Sequence, residues 1–276
     1  MRKCFTLTAI CLVLTMLLPG CKSDMHYASS FIRHADSKNS TAKIYVVLPT
    51  EVIHSNSSLN EVEDFAYLSE RQQDSVIGSV TAILDKLNDS IFISQFSNAF
   101  LYTLSRLRMP IVLCQSASQL PVADSNTFIV NIVQLEAEEF VQPSRSDFRT
   151  RKGVYYAYKY NLRHFSTNAW FQFGNDDVYF KNNEVSERFN GVVTKLKDQK
   201  ATLRSKFERI GVNEAYSSAR TLGTECATLY VEKMLTDYVR LKKGTNNSYF
   251  YYDAYANKIP VVVPYEDGVK ESFQKL

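Results

Sequence analysis

The chain has 276 residues, 32 Lys and Arg against 29 Asp and Glu, and a formal charge of +3. That near-balance argues against a dedicated nucleic-acid binder, which carries a basic excess. The composition is ordinary except for 17 Tyr and 17 Phe, residues favoured in half-buried strands and at contact surfaces.

Arg2 and Lys3 begin the chain, and Phe5 to Leu18 follow as an uncharged, mostly apolar stretch. That run is too short to span a bilayer core of ~30 Å, which takes about 20 residues. A secretory signal is the expected role. The stretch ends in Leu18-Pro19-Gly20-Cys21, which resembles the lipobox of bacterial lipoproteins, with Pro19 where Ala or Ser is more usual. The resemblance implies cleavage before Cys21 and acylation of that cysteine. It also implies a protein held at a membrane face in the cell envelope. Residue 22 is Lys rather than Asp, which by the same resemblance implies sorting to the outer membrane. Losing Arg2 and Lys3 lowers the formal charge from +3 to +1. Only Cys114 and Cys226 then remain unmodified, and both lie in apolar contexts as core thiols do, although an oxidising envelope would let them pair.

Residues 22–42 are polar and Ser-rich and read as a tether, leaving 43–276 as a single domain. Ile44 to Leu48, closed by Pro49, predicts a buried strand. Ser69 and Gln72 have capping-box spacing, and Val76, Ile77, Val80, Ile83, Leu84 and Leu87 predict one helical face. A second helix is expected from about Ser94 to Pro110, with Phe96, Phe100, Leu101, Leu104 and Leu107 on one side. Ile111 to Cys114 and Phe128 to Leu135 predict two further strands.

Val154 to Phe173 alternates aromatic residues but changes parity. Tyr156, Tyr158, Tyr160 and Leu162 share one phase, and Phe165, Ala169, Phe171 and Phe173 the other, so a bulge or bend is expected near Arg163. Gly174 to Asp177 predicts a hairpin turn into Val178 to Phe180. Residues 189–210 fit strand or helix. A long helix starts near Asn213, with Ala219, Leu222, Cys226, Tyr230, Met234, Tyr238 and Leu241 as its core stripe. It ends in Arg240, Lys242, Lys243 and Gly244. Tyr249 to Tyr255 and Ile259 to Val263 read as strands, followed by a short tail helix. This order predicts an α+β fold: a two-layer domain with helices packed on a mixed, largely antiparallel sheet. It is similar to the element order of small envelope-assembly lipoproteins of the curli-secretion and penicillin-binding-protein-activator types.

Most catalytic signatures are absent: no G-x-S-x-G, H-E-x-x-H, C-x-x-C or G-x-x-x-x-G-K occurs. Ser40-Thr41-Ala42-Lys43 matches a bare S-x-x-K in the tether, without its partner motifs. His26, His34, His54 and His164 lack ligand spacing, so no metal is expected, and nothing calls for a cofactor. Glu136 and Glu138 share a strand face about 7 Å apart, a spacing an inverting hydrolase of envelope polymers could use. Cys114 and His164 would form a nucleophile and base only if the fold joined them. Two basic clusters stand out: Arg145, Arg149, Arg151 and Lys152, then Lys195, Lys197, Lys200, Arg204 and Lys206. They suit an anionic surface or plain solvation. Tyr249, Phe250, Tyr251 and Tyr252 are the candidate interaction residues, with core filling as their other role. Tyr156, Tyr158 and Trp170 would form the platform of a ligand-capturing surface lipoprotein. The favoured function is a non-catalytic envelope lipoprotein that binds, or helps assemble, a protein partner.

Overall fold

The computed structural model describes residues 24–35, 41–58, 69, 81–122, 124, 126–149, 155–174, 178–197, 200–244, 250–253, 262–264 and 274–275. At 34–35, 156, 192–197, 200–203, 251, 262–264 and 274–275 it describes the backbone alone. Cys21, most of the Ser69 to Leu87 helix expectation and the hairpin turn at 175–177 lie outside the described residues.

The fold is α+β. Strand β1 (Lys43–Val47) sits between β3 (Ile111–Cys114) and β4 (Thr127–Arg149), parallel to both. Its Ile44 and Val46 are fully buried, as an apolar run in a covered parallel sheet should be. The short β2 (Ile53–Ser55) also pairs with β4 in parallel. β4 then pairs antiparallel with β5 (Tyr155–Phe173), and β5 with β6 (Val178–Ser186). Most of the paired length is therefore antiparallel. β7 (Arg188–Lys197) and β8 (Lys200–Glu208) form a separate hairpin, which settles the ambiguous segment as strand. Past the helices come β9 (Phe250–Tyr252), paired with β10 (Val262–Pro264), and β11 (Gln274–Lys275), paired with β6. The described end of the tail is thus strand where a helix was expected.

Three α-helices are described. The first, α1 (Asp24–Ala35), corrects the tether reading. Its Ala28 and Phe31 are buried, and the Phe31 ring lies 4.9 Å from that of Tyr238. The polar composition hid a buried face with Tyr27 and Phe31 one turn apart. The second, α2 (Asp89–Ser105), is capped by the Asn88 side chain accepting from the Ile91 amide at 3.1 Å. Its Phe92, Phe96 and Phe100 recur every four residues and are fully buried, as the period demands. The third, α3 (Val212–Lys243), starts one residue before Asn213, close to where it was expected, and Glu214 reaches back to the Gly211 amide at 2.8 Å. Gly244, at φ 81°, ends it and donates to the Arg240 carbonyl at 2.8 Å. Leu241 was expected to close the core stripe, yet it is 69% exposed.

The bulge expected near Arg163 lies elsewhere, between Ile132 and Gln134 of β4. β5 itself alternates without interruption. Its aromatic residues change parity because the strand changes its cover. Phe165 and Phe171 go under the helices, with Phe165 meeting Phe92 at 6.1 Å. Tyr158 and Tyr160 turn instead to the hairpin, stacking on Phe189 at 5.3 and 4.2 Å.

Cys114 and Cys226 are both free thiols. Burial pushes the Cys226 thiol up, so it stays protonated and inert. The two helices cross where Gly223 meets α2: a Cβ there would sit 2.2 Å from the Phe96 carbonyl oxygen. Backbone cannot yield as a flexible side chain can, so Gly223→Ala must separate the helices. We predict a loss of about 2–3 kcal/mol, the upper range of overpacking costs, read as a lowered melting temperature. An unchanged melting temperature would contradict this crossing.

Candidate functional site

β4 and β5 stay paired as far as Arg149 and Tyr155. Their flanking strands stop sooner, β2 at Glu138 and β6 at His164. Beyond that neck, residues 142–149 and 155–162 form a two-stranded ribbon, and the β7–β8 hairpin packs against it as an arm. Among the described residues no helix covers the ribbon there, and it fills its own small core with aromatic rings. Phe148, Tyr158, Tyr160, Phe189 and Phe207 meet in pairs 4.2 to 6.5 Å apart. A Cβ on Gly191 would lie 2.9 Å from Phe148 and 2.6 Å from Phe189, so the glycine leaves room for that packing. The Tyr160 hydroxyl is satisfied by Ser146 Oγ at 2.9 Å.

A chain of charges built on two buried carboxylates holds the neck. Glu139 is fully buried, and its Oε2 accepts the amides of Ile83 and Leu84, each at 2.9 Å. Its Oε1 lies 2.9 Å from Arg163 Nε. Desolvation raises its pKa, against the pull of the two amides and the guanidinium. Glu187, 2% exposed, links β6 to β7. Its Oε2 accepts the Arg163 amide at 3.2 Å and Arg209 Nη1 at 2.7 Å. Arg209 links β8 to α3, and its guanidinium lies 4.7 Å from the centre of the Phe207 ring. One carboxylate therefore ties both feet of the hairpin to the sheet.

The arm is also where the charge gathers. Residues 142–162 and 188–209 carry twelve Lys and Arg against three Asp and Glu, in a chain that is otherwise near balance. Both basic clusters predicted from the sequence belong to these segments. Arg145 pairs with Asp147 at 2.8 Å. Arg149 stands 5.2 Å from the centre of the Tyr155 ring, which is 67% exposed. Asn190, Arg204, Ser205 and Lys206 line a shallow depression on the hairpin. Arg151 and Lys152 lie outside the described residues, as do the side chains of Lys195, Lys197 and Lys200.

The other candidates are placed apart. Glu136 and Glu138 both accept from the Asn168 amide, at 3.3 and 3.4 Å, on the half-buried face of the sheet. Cys114 is in register with Gln172, three strand spacings across the sheet, and His164 lies eight residues further along β5; at ~4.8 Å per strand and ~3.3 Å per residue the two are about 30 Å apart, so they form no dyad. His164 instead stacks on Phe140 at 4.9 Å and meets Glu184 at 2.5 Å. Tyr158 and Trp170 are twelve residues apart on one strand, about 40 Å, and share no platform. Among the described residues no cluster of His, Cys, Asp and Glu could hold a metal ion.

Phe250 and Tyr252 of the candidate interaction run are buried, at 2% and 0% exposure. They serve the core and are not exposed for binding. Tyr249 and the Tyr251 side chain lie outside the described residues. Sequence reasoning missed Glu139, Glu187 and Arg209. For Glu139 the signal was there: Leu135, Ala137 and Glu139 share the buried phase of β4, and a charge in that phase needs a partner.

No family model matches the chain, and no curated protein matches it. Among solved structures, it is similar to a Helicobacter pylori protein named as a neuraminyllactose-binding hemagglutinin homolog. The similarity has a TM-score of 0.34 and 10% identity, covering 76% of this chain and 94% of that one.

Tyr252 is pinned by its amide, which donates to Glu232 Oε1 at 2.9 Å. Burial raises the Glu232 pKa from 4.5 to about 7. The folded protein therefore keeps a proton there that the unfolded chain has lost, and stability falls as pH rises between those values. Glu232→Gln removes the titration while keeping the acceptor. We predict that the loss of melting temperature between pH 5 and about 7.5 is smaller in this variant; parallel pH profiles would contradict it.

Proposed function

We propose that the protein is a non-catalytic lipoprotein of the cell envelope, acylated on Cys21, that binds or helps assemble a protein partner through the basic arm. The observation that carries this reading is the segregation of charge: a near-neutral chain places twelve basic residues within the two sequence segments, 142–162 and 188–209, whose described parts form the aromatic-packed projection. Such a field steers an acidic surface into contact and raises its association rate. Exposed Tyr155 and Tyr158 add the ring surface common at protein interfaces.

The hydrolase alternative would need Glu136 and Glu138 to act separately, one as acid and one as base. Their shared hydrogen-bond donor, Asn168, favours a structural role for the pair. The anchor rests on the lipobox resemblance and its two or three acyl chains, each buried methylene adding roughly 0.8 kcal/mol. No helix among the described residues is long and apolar enough to cross a membrane.

The test is quantitative capture of partner from the protein's own membranes. Arg149→Glu, Arg204→Glu and Lys206→Glu together should weaken capture more than tenfold and flatten its salt dependence. Glu136→Gln with Glu138→Gln should leave it intact. All variants should melt as the parent does. The reverse pattern, in folded proteins, would favour the enzyme.

A further inference from the structure

The first described residue, Asp24, is fixed in place. Its carboxylate pairs with Lys243 at the end of α3, and one turn on, Ala28 and Phe31 are packed into the core. Phe31 meets Phe128 at 5.6 Å as well as Tyr238. Cys21 lies three positions earlier, and three residues span at most about 10 Å. An acyl group on Cys21 therefore leaves no room for a tether. It holds Asp24, and the Lys243 ammonium paired with it, on the order of 10 Å from the lipid anchor, a distance comparable with a Debye length.

That turn is unlike a core helix end. Arg240, Leu241, Lys242 and Lys243 are all exposed, Leu241 to 69%. Lys242 lies 5.5 Å from the centre of the Tyr238 ring. Among the described residues, Asp24 pairs with Lys243 and Asp237 with Lys233. An exposed leucine among cations is the chemistry of a surface that lies on anionic lipid. We propose that Arg240 to Lys243, with the start of α1, form a membrane-seating surface for anionic phospholipid headgroups. This inference rests on acylation of Cys21.

The seat has a consequence for the arm. α3 has 32 residues, about 48 Å at ~1.5 Å each. Its far end follows Arg209, at the foot of the hairpin. Along the way it is bonded to the sheet by Ser218 to the Asn183 carbonyl, Lys181 to Glu225 and Phe173 against Tyr230. Seating one end on the membrane stands the arm off that membrane, towards whatever lies beyond it.

The experiment uses the acylated full chain, with Cys114→Ser, on vesicles of phosphatidylglycerol and phosphatidylethanolamine. An environment-sensitive fluorophore is placed at Leu241→Cys or, separately, at Ser205→Cys on the arm. Doxyl-labelled lipid should quench the first probe and not the second. Adding Arg240→Glu and Lys242→Glu should reduce quenching at 241 severalfold while the protein still floats with the vesicles. An unquenched probe at 241 on floating protein would overturn the seat and leave the anchor standing. Quenching at 205 equal to that at 241 would overturn the upright orientation. Protein that does not float would overturn the anchor and the seat together.

Discussion

Glu139 has no surface in water, yet it lies midway along the longest strand of the sheet. A bare carboxylate there would cost several kcal/mol, and removing one partner of such a pair typically costs ~3–5 kcal/mol. Two amides ahead of α2 and the Arg163 guanidinium hold it. Arg163 passes the constraint on: its own amide is bonded to Glu187, and Glu187 also holds Arg209. The segment before α2, the central strand pair, both feet of the hairpin and the start of α3 thus meet at one chain of charges. This placement fixes where the sheet ends and the arm begins.

That division explains the aromatic load. On the helix side, Phe92, Phe96, Phe100, Phe165 and Phe171 fill an ordinary two-layer core. Past the neck no helix covers the strands among the described residues, and the rings of Tyr158, Tyr160, Phe189 and Phe207 make a ribbon-on-hairpin stack instead. Rings fill the interior of this projection, and its described charges Arg145, Arg149, Arg204 and Lys206 are exposed. Under the proposed function, a basic projection suits capture of an acidic surface better than enclosure of a small substrate.

Much of the main layer was legible in sequence because each element kept one period and one cover. The phenylalanines of α2 and the apolar run of β1 are such cases. The arm was not, and β5 shows why. Its change of parity was visible, but a sequence records which residues are apolar and not what lies over them, so a change of cover read as a bulge. The β7–β8 hairpin was ambiguous for a related reason: Phe189 and Phe207 are far apart in sequence and meet only across the paired strands. Of the candidate site, the basic clusters were legible as charge, but their convergence depends on long-range pairing. α1 was missed because its buried face needs only a few residues, with Ser29, Ser30 and His26 around them. The proposal at Cys21 rests on a short motif that depends on no tertiary contact.

The arm is the contact surface in the proposed function. Site-specific photo-crosslinking of the lipidated chain in intact envelopes tests this, with the reactive residue placed at Tyr155, at Tyr102 of α2 or at Glu136. A discrete protein adduct from position 155 that high salt diminishes is expected, with none of comparable yield from 102 or 136. Adducts from 136 alone, with position 155 silent in a folded protein, would contradict it.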